Sequence, residues 1–137
     1  MDIRLRPFAE QVSHFLEEGQ FRGPALWLGN TPAVLRMLGF RAIPLRMTAG
    51  VLKKIYTGKS GEREGVSHKH ISRFPELIDE PVAIFASSTV AGALVVLTTA
   101  TNAEGVVVVS VEANCQQGNA TVNLVTSAYA KDREEWV

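Results

Sequence analysis

The sequence predicts an α+β domain in which N-terminal helices pack on one face of a twisted antiparallel sheet of at least four strands. Three observations carry this. Apolar residues in the front half recur at helical spacing between capping residues. The back half changes to β-branched runs separated by short polar and glycine-containing turns. At 137 residues, 46% of them hydrophobic, the chain suffices for one core and one domain spanning 1–137. Cys115 is the sole cysteine, which excludes an intramolecular disulfide and a Cys-rich zinc site.

In "PFAEQVSHFLEEG", Phe8, Val12, Phe15 and Leu16 form an apolar helical stripe, and Gly19 supplies a left-handed stop. His14 lies off that stripe and reads as a surface residue. "NTPAVLRMLG" predicts a second helix with Thr31 as N-cap, Pro32 at the first helical position and Gly39 past the end. In "MTAGVLKKIYTG", Thr48 caps a third helix that buries Val51, Leu52, Ile55 and Tyr56, leaves Lys53 or Lys54 toward solvent or a groove, and ends at Gly58. After the charged loop "TGKSGEREGV", Ser67 caps a short helix through His68, Lys69 and His70, which Pro75 interrupts or restarts.

Four β-rich runs follow: "PVAIFASS", "GALVVLTTAT", "GVVVVSVEAN" and "ATVNLVTSAYA". The turns "TVAG", "NAEG" and "CQQGN" between them predict an antiparallel meander. The stretch Val82–Ala100 is long and uncharged enough to raise a membrane helix. Its β-branched residues and the "SSTVAG" interruption fit two short buried strands instead, so no membrane partner is expected. The N-terminus "MDIRLRPFAEQ" lacks the apolar core of a secretory signal. In the last strand, alternation puts Ser127 and Tyr129 on one face with Asn123 and Val125, opposite Val122, Leu124, Thr126 and Ala128. The pair either lines a cleft or simply covers the core at a sheet edge.

A formal net charge of zero conceals a polarised chain. Residues 1–75 carry twelve Lys or Arg against six Asp or Glu, and residues 76–137 carry two against eight, giving +6 and −6. Nine basic residues lie between Arg36 and Arg73, opposed only by Glu62 and Glu64. Such density beside His68, Lys69 and His70 at a helix start suits a phosphate-bearing partner; the bland alternative is a solvated basic face. No metal or other cofactor is expected. Glu62 and Glu64 stand in a glycine-flanked loop, and Glu76, Asp79 and Glu80 form a surface charge run. His68 and His70, two apart, do not share a helix face as an i, i+4 zinc pair would.

The ordered blocks "LGNTPAVLRMLGF", "IPLRMTAGVLKKI", "RFPELIDEPVAIFASS", "LVVLTTATNAEGVVVVSVEA" and "LVTSAYAKD" resemble the C-terminal toxin domain attached to phage MuF-type head proteins and to bacterial polymorphic toxins. The resemblance runs over roughly residues 20–132. It implies membership of the barnase–EndoU–colicin–RelE (BECR) nuclease superfamily, with helices before a curved antiparallel sheet, and a metal-independent ribonuclease activity. Onto the matching positions it carries Lys53 or Lys54 of "VLKKI", Ser87 or Ser88 at a strand end, and Thr126, Ser127 and Tyr129 of "TSAY". The family's pattern has a Lys-His pair soon after the "LKKI" helix, whereas here the first histidine after that helix is His68.

The implied chemistry is attack of a ribose 2′-hydroxyl on the adjacent phosphorus, which needs a base, an acid and cations around the phosphorane. His68 or His70 is the expected base or acid, since histidine titrates near physiological pH; otherwise a lysine carries the proton. Lys54 and Lys69, with Lys53, hold the phosphate; Ser127, Thr126 and Ser87 donate hydrogen bonds; Tyr129 stacks on a base or donates a proton. The implied partners are an RNA substrate, a cognate immunity protein and a larger delivery or phage head protein. The implied place of action is the cytoplasm, including that of a target bacterial cell. Two other classes compete: an ADP-ribosyltransferase toxin, for which no catalytic glutamate pattern is evident, and a noncatalytic module whose basic surface docks an acidic protein or structured RNA.

Overall fold

The computed structural model describes residues 6–59 and 63–131. Helix α1 (Phe8–Glu18) buries Phe8, Val12 and Phe15, and Gly19 closes it in the left-handed conformation at φ 74°. Strand β1 (Leu26–Asn30) and strand β2 (Pro44–Met47) flank α2 (Ala33–Met37). Helix α3 (Ala49–Thr57) follows, then a two-residue hairpin of β3 (Gly58–Lys59) and β4 (Arg63–Glu64). Next come α4 (His68–Ile71) and α5 (Phe74–Asp79), and finally β5 (Ala83–Ala86), β6 (Ala93–Asn102), β7 (Gly105–Gln117) and β8 (Ala120–Lys131).

The class is α+β, and the four expected strands form β5 to β8, paired antiparallel in order. The sheet is larger and mixed: six strands run β1-β2-β8-β7-β6-β5, with β2 parallel to β8 through Leu45↔Asn123 and Arg46↔Leu124. A purely antiparallel sheet is therefore corrected. The two extra strands lie in the half read as helices, because runs of five and four residues show only Leu26/Leu28 and Leu45/Met47 as buried alternation. Val82–Ala100 folds as β5, a turn and the front of β6, and no helix among the described residues is long and apolar enough to cross a membrane.

The helices contribute to one apolar cluster that unites Phe8, Leu35, Leu52, Ile71, Phe74 and Ile78 with Val96, Val107, Val109 and Ala128 of the sheet. Burying a side chain such as Phe74, fully covered, contributes about 2–3 kcal/mol. Thr48 caps α3 by accepting the Val51 N–H at 3.2 Å, and Ser67 caps α4 by accepting that of His70 at 3.2 Å. Tyr56 is exposed rather than buried with Leu52 and Ile55. Thr31 does not cap α2; Pro32 holds that position. The Thr31 hydroxyl is committed elsewhere, donating to the Ile43 carbonyl at 2.6 Å and accepting from Asn123 Nδ2 at 2.8 Å. The open edge of β1 is partly closed by buried Gln11, whose amide accepts the Trp27 N–H at 3.0 Å and donates to the Trp27 carbonyl at 3.1 Å.

Strict alternation fails in β8. Ser110 pairs with Ser127 but Val111 pairs with Val125, so Thr126 is a bulged extra residue that reverses the facing of everything after it. Val125, Ala128 and Ala130 consequently lie on the helix-covered side, while Ser127 and Tyr129 share the opposite face. The pair is together, as alternation predicted, but away from Asn123 and Val125.

A cleft between α3 and the edge of β8

Beyond Leu124, β2 no longer accompanies β8, and the chain turns into α3 through the Thr48 cap. Between α3 and the free side of β8 lies a cleft of about 320 Å³. Val51, Lys54 and Ile55 form its helical wall, Thr126 to Tyr129 its strand wall, and Gly58, Lys59 and Glu64 its end.

The end wall depends on one close approach. A Cβ on Gly65 would stand 1.9 Å from the Tyr56 carbonyl oxygen, so only glycine lets the chain fold back against the last turn of α3. The Val66 N–H then donates to the Ile55 carbonyl at 2.9 Å. On its outer side β4 is pinned by the Glu104 carboxylate, which accepts the Glu64 N–H at 2.7 Å. Glu104 itself sits in the β6–β7 turn, closed by the Asn102 side-chain oxygen accepting the N–H groups of Glu104 and Gly105 at 2.7 and 3.2 Å.

The polar groups differ in how far they are committed. The Thr126 hydroxyl donates to the Ser110 carbonyl at 3.4 Å across the bulge. Among the described residues, the Ser127 hydroxyl has no hydrogen-bond partner, and Lys54 has no ion-pair partner. An uncommitted ammonium and an uncommitted hydroxyl facing one cleft beside a carboxylate give cation, donor and acceptor within a single ligand's reach.

Four of the expected site residues, Lys54, Thr126, Ser127 and Tyr129, thus line one cleft. The other five do not. Lys53 is exposed one position along α3, and Lys69 is exposed on α4. His68 Nε2 is 3.1 Å from the Ser13 hydroxyl of α1. His70 Nε2 donates to the Thr101 carbonyl at 3.0 Å, leaving its Nδ1 buried without a partner. These contacts make the histidines tethers of a one-turn helix. The Ser87 hydroxyl accepts the N–H groups of Thr89 and Val90 at 3.2 and 3.1 Å, holding the β5–β6 turn. Lys59 and Glu64 were missed as site residues; the signal that marks them is the glycine pair, Gly58 and Gly65, bracketing the short hairpin. Glu62, read with Glu64 as a loop carboxylate, lies outside the described residues. Among the described residues, no three His, Cys, Asp or Glu side chains gather as a metal-holding group.

Fold and cleft together define an α+β domain with a six-stranded mixed, open sheet and a cleft at the edge of its last strand. The family model of the phage MuF C-terminal domain matches residues 56–137, and the chain belongs to that family. The match is shorter at its front than the resemblance read over 20–132, so Ser127, Tyr129 and Glu64 fall within it while Lys54 stands two residues before it. Comparison with curated proteins and with solved structures found no match.

Proposed function

We propose that this domain is a ribonuclease toxin of the BECR type, cleaving RNA in the α3–β8 cleft by attack of a ribose 2′-hydroxyl on the neighbouring phosphodiester. The observation that carries the reading is the convergence of Lys54, Ser127, Tyr129 and Glu64 on one cleft. In this mechanism the Glu64 carboxylate takes the 2′-hydroxyl proton as the new O–P bond forms. Lys54, with Lys59, offsets the charge gathering on the phosphorane, and the Ser127 hydroxyl donates to a non-bridging oxygen. The Tyr129 phenol returns a proton to the departing 5′-oxygen as that P–O bond breaks. The products are a 2′,3′-cyclic phosphate and a free 5′-hydroxyl.

Proton transfer is assigned to Glu64 and Tyr129 rather than to His68 or His70 because the histidines are tied to Ser13 and Thr101 outside the cleft. No step needs a metal or other cofactor. The same reading gives the domain an immunity protein as partner, attachment to a larger delivery or phage head protein, and action in the cytoplasm of a target cell. The test is induced expression in bacteria with RNA integrity followed over time. Loss of tRNA, rRNA or mRNA before growth stops is the expected result. Growth arrest with all three intact would move the activity to a transferase or a binding module.

A further inference from the structure

Glu64, assigned above as the proton acceptor, stands on an element too small to hold itself. Strands β3 and β4 pair only through Gly58↔Glu64 and Lys59↔Arg63, and so short a two-stranded hairpin is not stable in water without outside attachments. Two such attachments are present. On the α3 side, Gly65 packs against the Tyr56 carbonyl and the Val66 N–H donates to the Ile55 carbonyl at 2.9 Å, which fixes the chain leaving β4. On the outer side the Glu104 carboxylate accepts the N–H of Glu64 itself at 2.7 Å. A hydrogen bond to an ionised acceptor is about twice as strong as one between neutral groups.

Glu104 is itself firmly carried. It is the second residue of the two-residue turn between Asn102 and Gly105, the last cross-strand pair of β6 and β7. The Asn102 side-chain oxygen accepts the N–H groups of Glu104 and Gly105 at 2.7 and 3.2 Å, so the turn is closed from within. One residue earlier, the Thr101 carbonyl accepts from His70 Nε2 at 3.0 Å, which ties the same end of β6 to α4. The bracing thus runs from α4 through the turn to Glu64. Glu104 is exposed and is not one of the residues that line the cleft.

Resting on the ribonuclease reading, we infer that Glu104 is a positioning residue: it holds the Glu64 backbone so that the Glu64 carboxylate meets the ribose 2′-hydroxyl, and it touches no substrate itself. A general base works only within hydrogen-bond reach of the proton it removes, and a misplacement of about 1 Å costs roughly 100-fold. Reach therefore matters as much as charge. Glutamine presents an acceptor oxygen at the same distance from the backbone, whereas alanine presents none and aspartate falls one methylene short.

The experiment compares wild type with Glu104→Ala and Glu104→Gln, each also on a Glu64→Gln background, by steady-state cleavage of a single-stranded RNA and by amide hydrogen exchange of the free protein. Expected for Glu104→Ala is a fall in kcat of roughly 10- to 100-fold with KM nearly unchanged, and exchange at the Glu64 amide faster by roughly 10-fold or more. Glu104→Gln stays close to wild type in both. Exchange at Val109, in the core of the sheet, keeps its rate and shows that the variants are folded. On the Glu64→Gln background Glu104→Ala adds no further loss, because the group it positions is gone. Unchanged exchange at Glu64 in Glu104→Ala overturns the brace whatever the activity. Faster exchange with kcat unchanged, or an equal further loss on the Glu64→Gln background, overturns the positioning role and leaves the cleft reading standing. If wild type cleaves nothing, the ribonuclease reading fails, and exchange at Glu64 still decides the brace.

Discussion

Asn123 is the residue whose removal is expected to unsettle the strand wall of the cleft most. Its side chain is fully buried and bridges three segments. Oδ1 accepts the Asn114 N–H at 3.0 Å, and Nδ2 donates to Thr31 Oγ1 at 2.8 Å and to the Arg41 carbonyl at 3.3 Å. Asn114 is itself the bulged position of β7, at φ 55°, so its N–H depends on the neighbouring strand's side chain. Asn123→Ala deletes all three bonds at about 0.5–1.5 kcal/mol each and leaves partly buried groups unpaired, a total of about 3 kcal/mol. For a domain of this size that lowers Tm by about 10 °C. Asn123→Asp keeps the acceptor for Asn114 but turns a carboxylate toward Thr31 and the Arg41 carbonyl, and is expected to be as damaging. Equilibrium urea unfolding gives the numbers, and a double-mutant cycle with Thr31→Val isolates the 2.8 Å bond at about 1 kcal/mol of coupling. A loss below about 0.5 kcal/mol for Asn123→Ala, or strict additivity with Thr31→Val, would refute the claim that this network steadies the strand wall of the cleft.

Two further outcomes follow from single positions. Gly65→Ala forces a Cβ against the Tyr56 carbonyl and is expected to cost about 1–3 kcal/mol and to speed amide exchange at Val66, whereas Gly50→Ala, with open space around it inside α3, is neutral or stabilising; equal behaviour of the two would remove the close approach as the determinant of the end wall. Burial and, secondarily, the Glu112 charge hold the Cys115 thiol above its ordinary pKa, with a Leu124 backbone hydrogen bond only partly opposing them. Less thiolate is then present at neutral pH, so alkylation by iodoacetamide is expected to be slower than in the unfolded chain and to rise on going beyond the ordinary thiol range, with Glu112→Gln partly relieving it; native and unfolded rates that coincide would contradict this.

The hairpin-linked strands were legible because β-branched runs and glycine-containing turns are local signals, and α1, α3 and α4 because Gly19, Thr48 and Ser67 stand where helix ends need them. Strands β1 and β2 were not, since so short a buried alternation acquires meaning only when Leu45 and Arg46 meet Asn123 and Leu124, nearly eighty residues away. Thr31 misled for a related reason: a hydroxyl before Pro32 reads as a cap until Asn123 takes it. In the site, Lys54, Thr126, Ser127 and Tyr129 were picked from the helix and the last strand, but the bulge at Thr126, set by pairing with β7, was invisible to an alternation rule. Charge density drew attention to His68, Lys69 and His70, and no local signal says that the two imidazoles are spent on Ser13 and Thr101.

Whether the α3–β8 cleft cleaves RNA with its own side chains is decided by setting Lys54 against Lys53. Both are exposed lysines on adjacent positions of α3, and only Lys54 lines the cleft. Purified wild type, Lys54→Ala and Lys53→Ala are incubated with a labelled single-stranded RNA in excess EDTA, and the product ends are identified by mass spectrometry. Expected are 2′,3′-cyclic phosphate ends from wild type, a fall of about 100-fold or more in cleavage rate for Lys54→Ala, and no change for Lys53→Ala. Activity abolished by the chelator and restored by Mg²⁺, Mn²⁺ or Zn²⁺, or cleavage by Lys54→Ala at the wild-type rate, would contradict it.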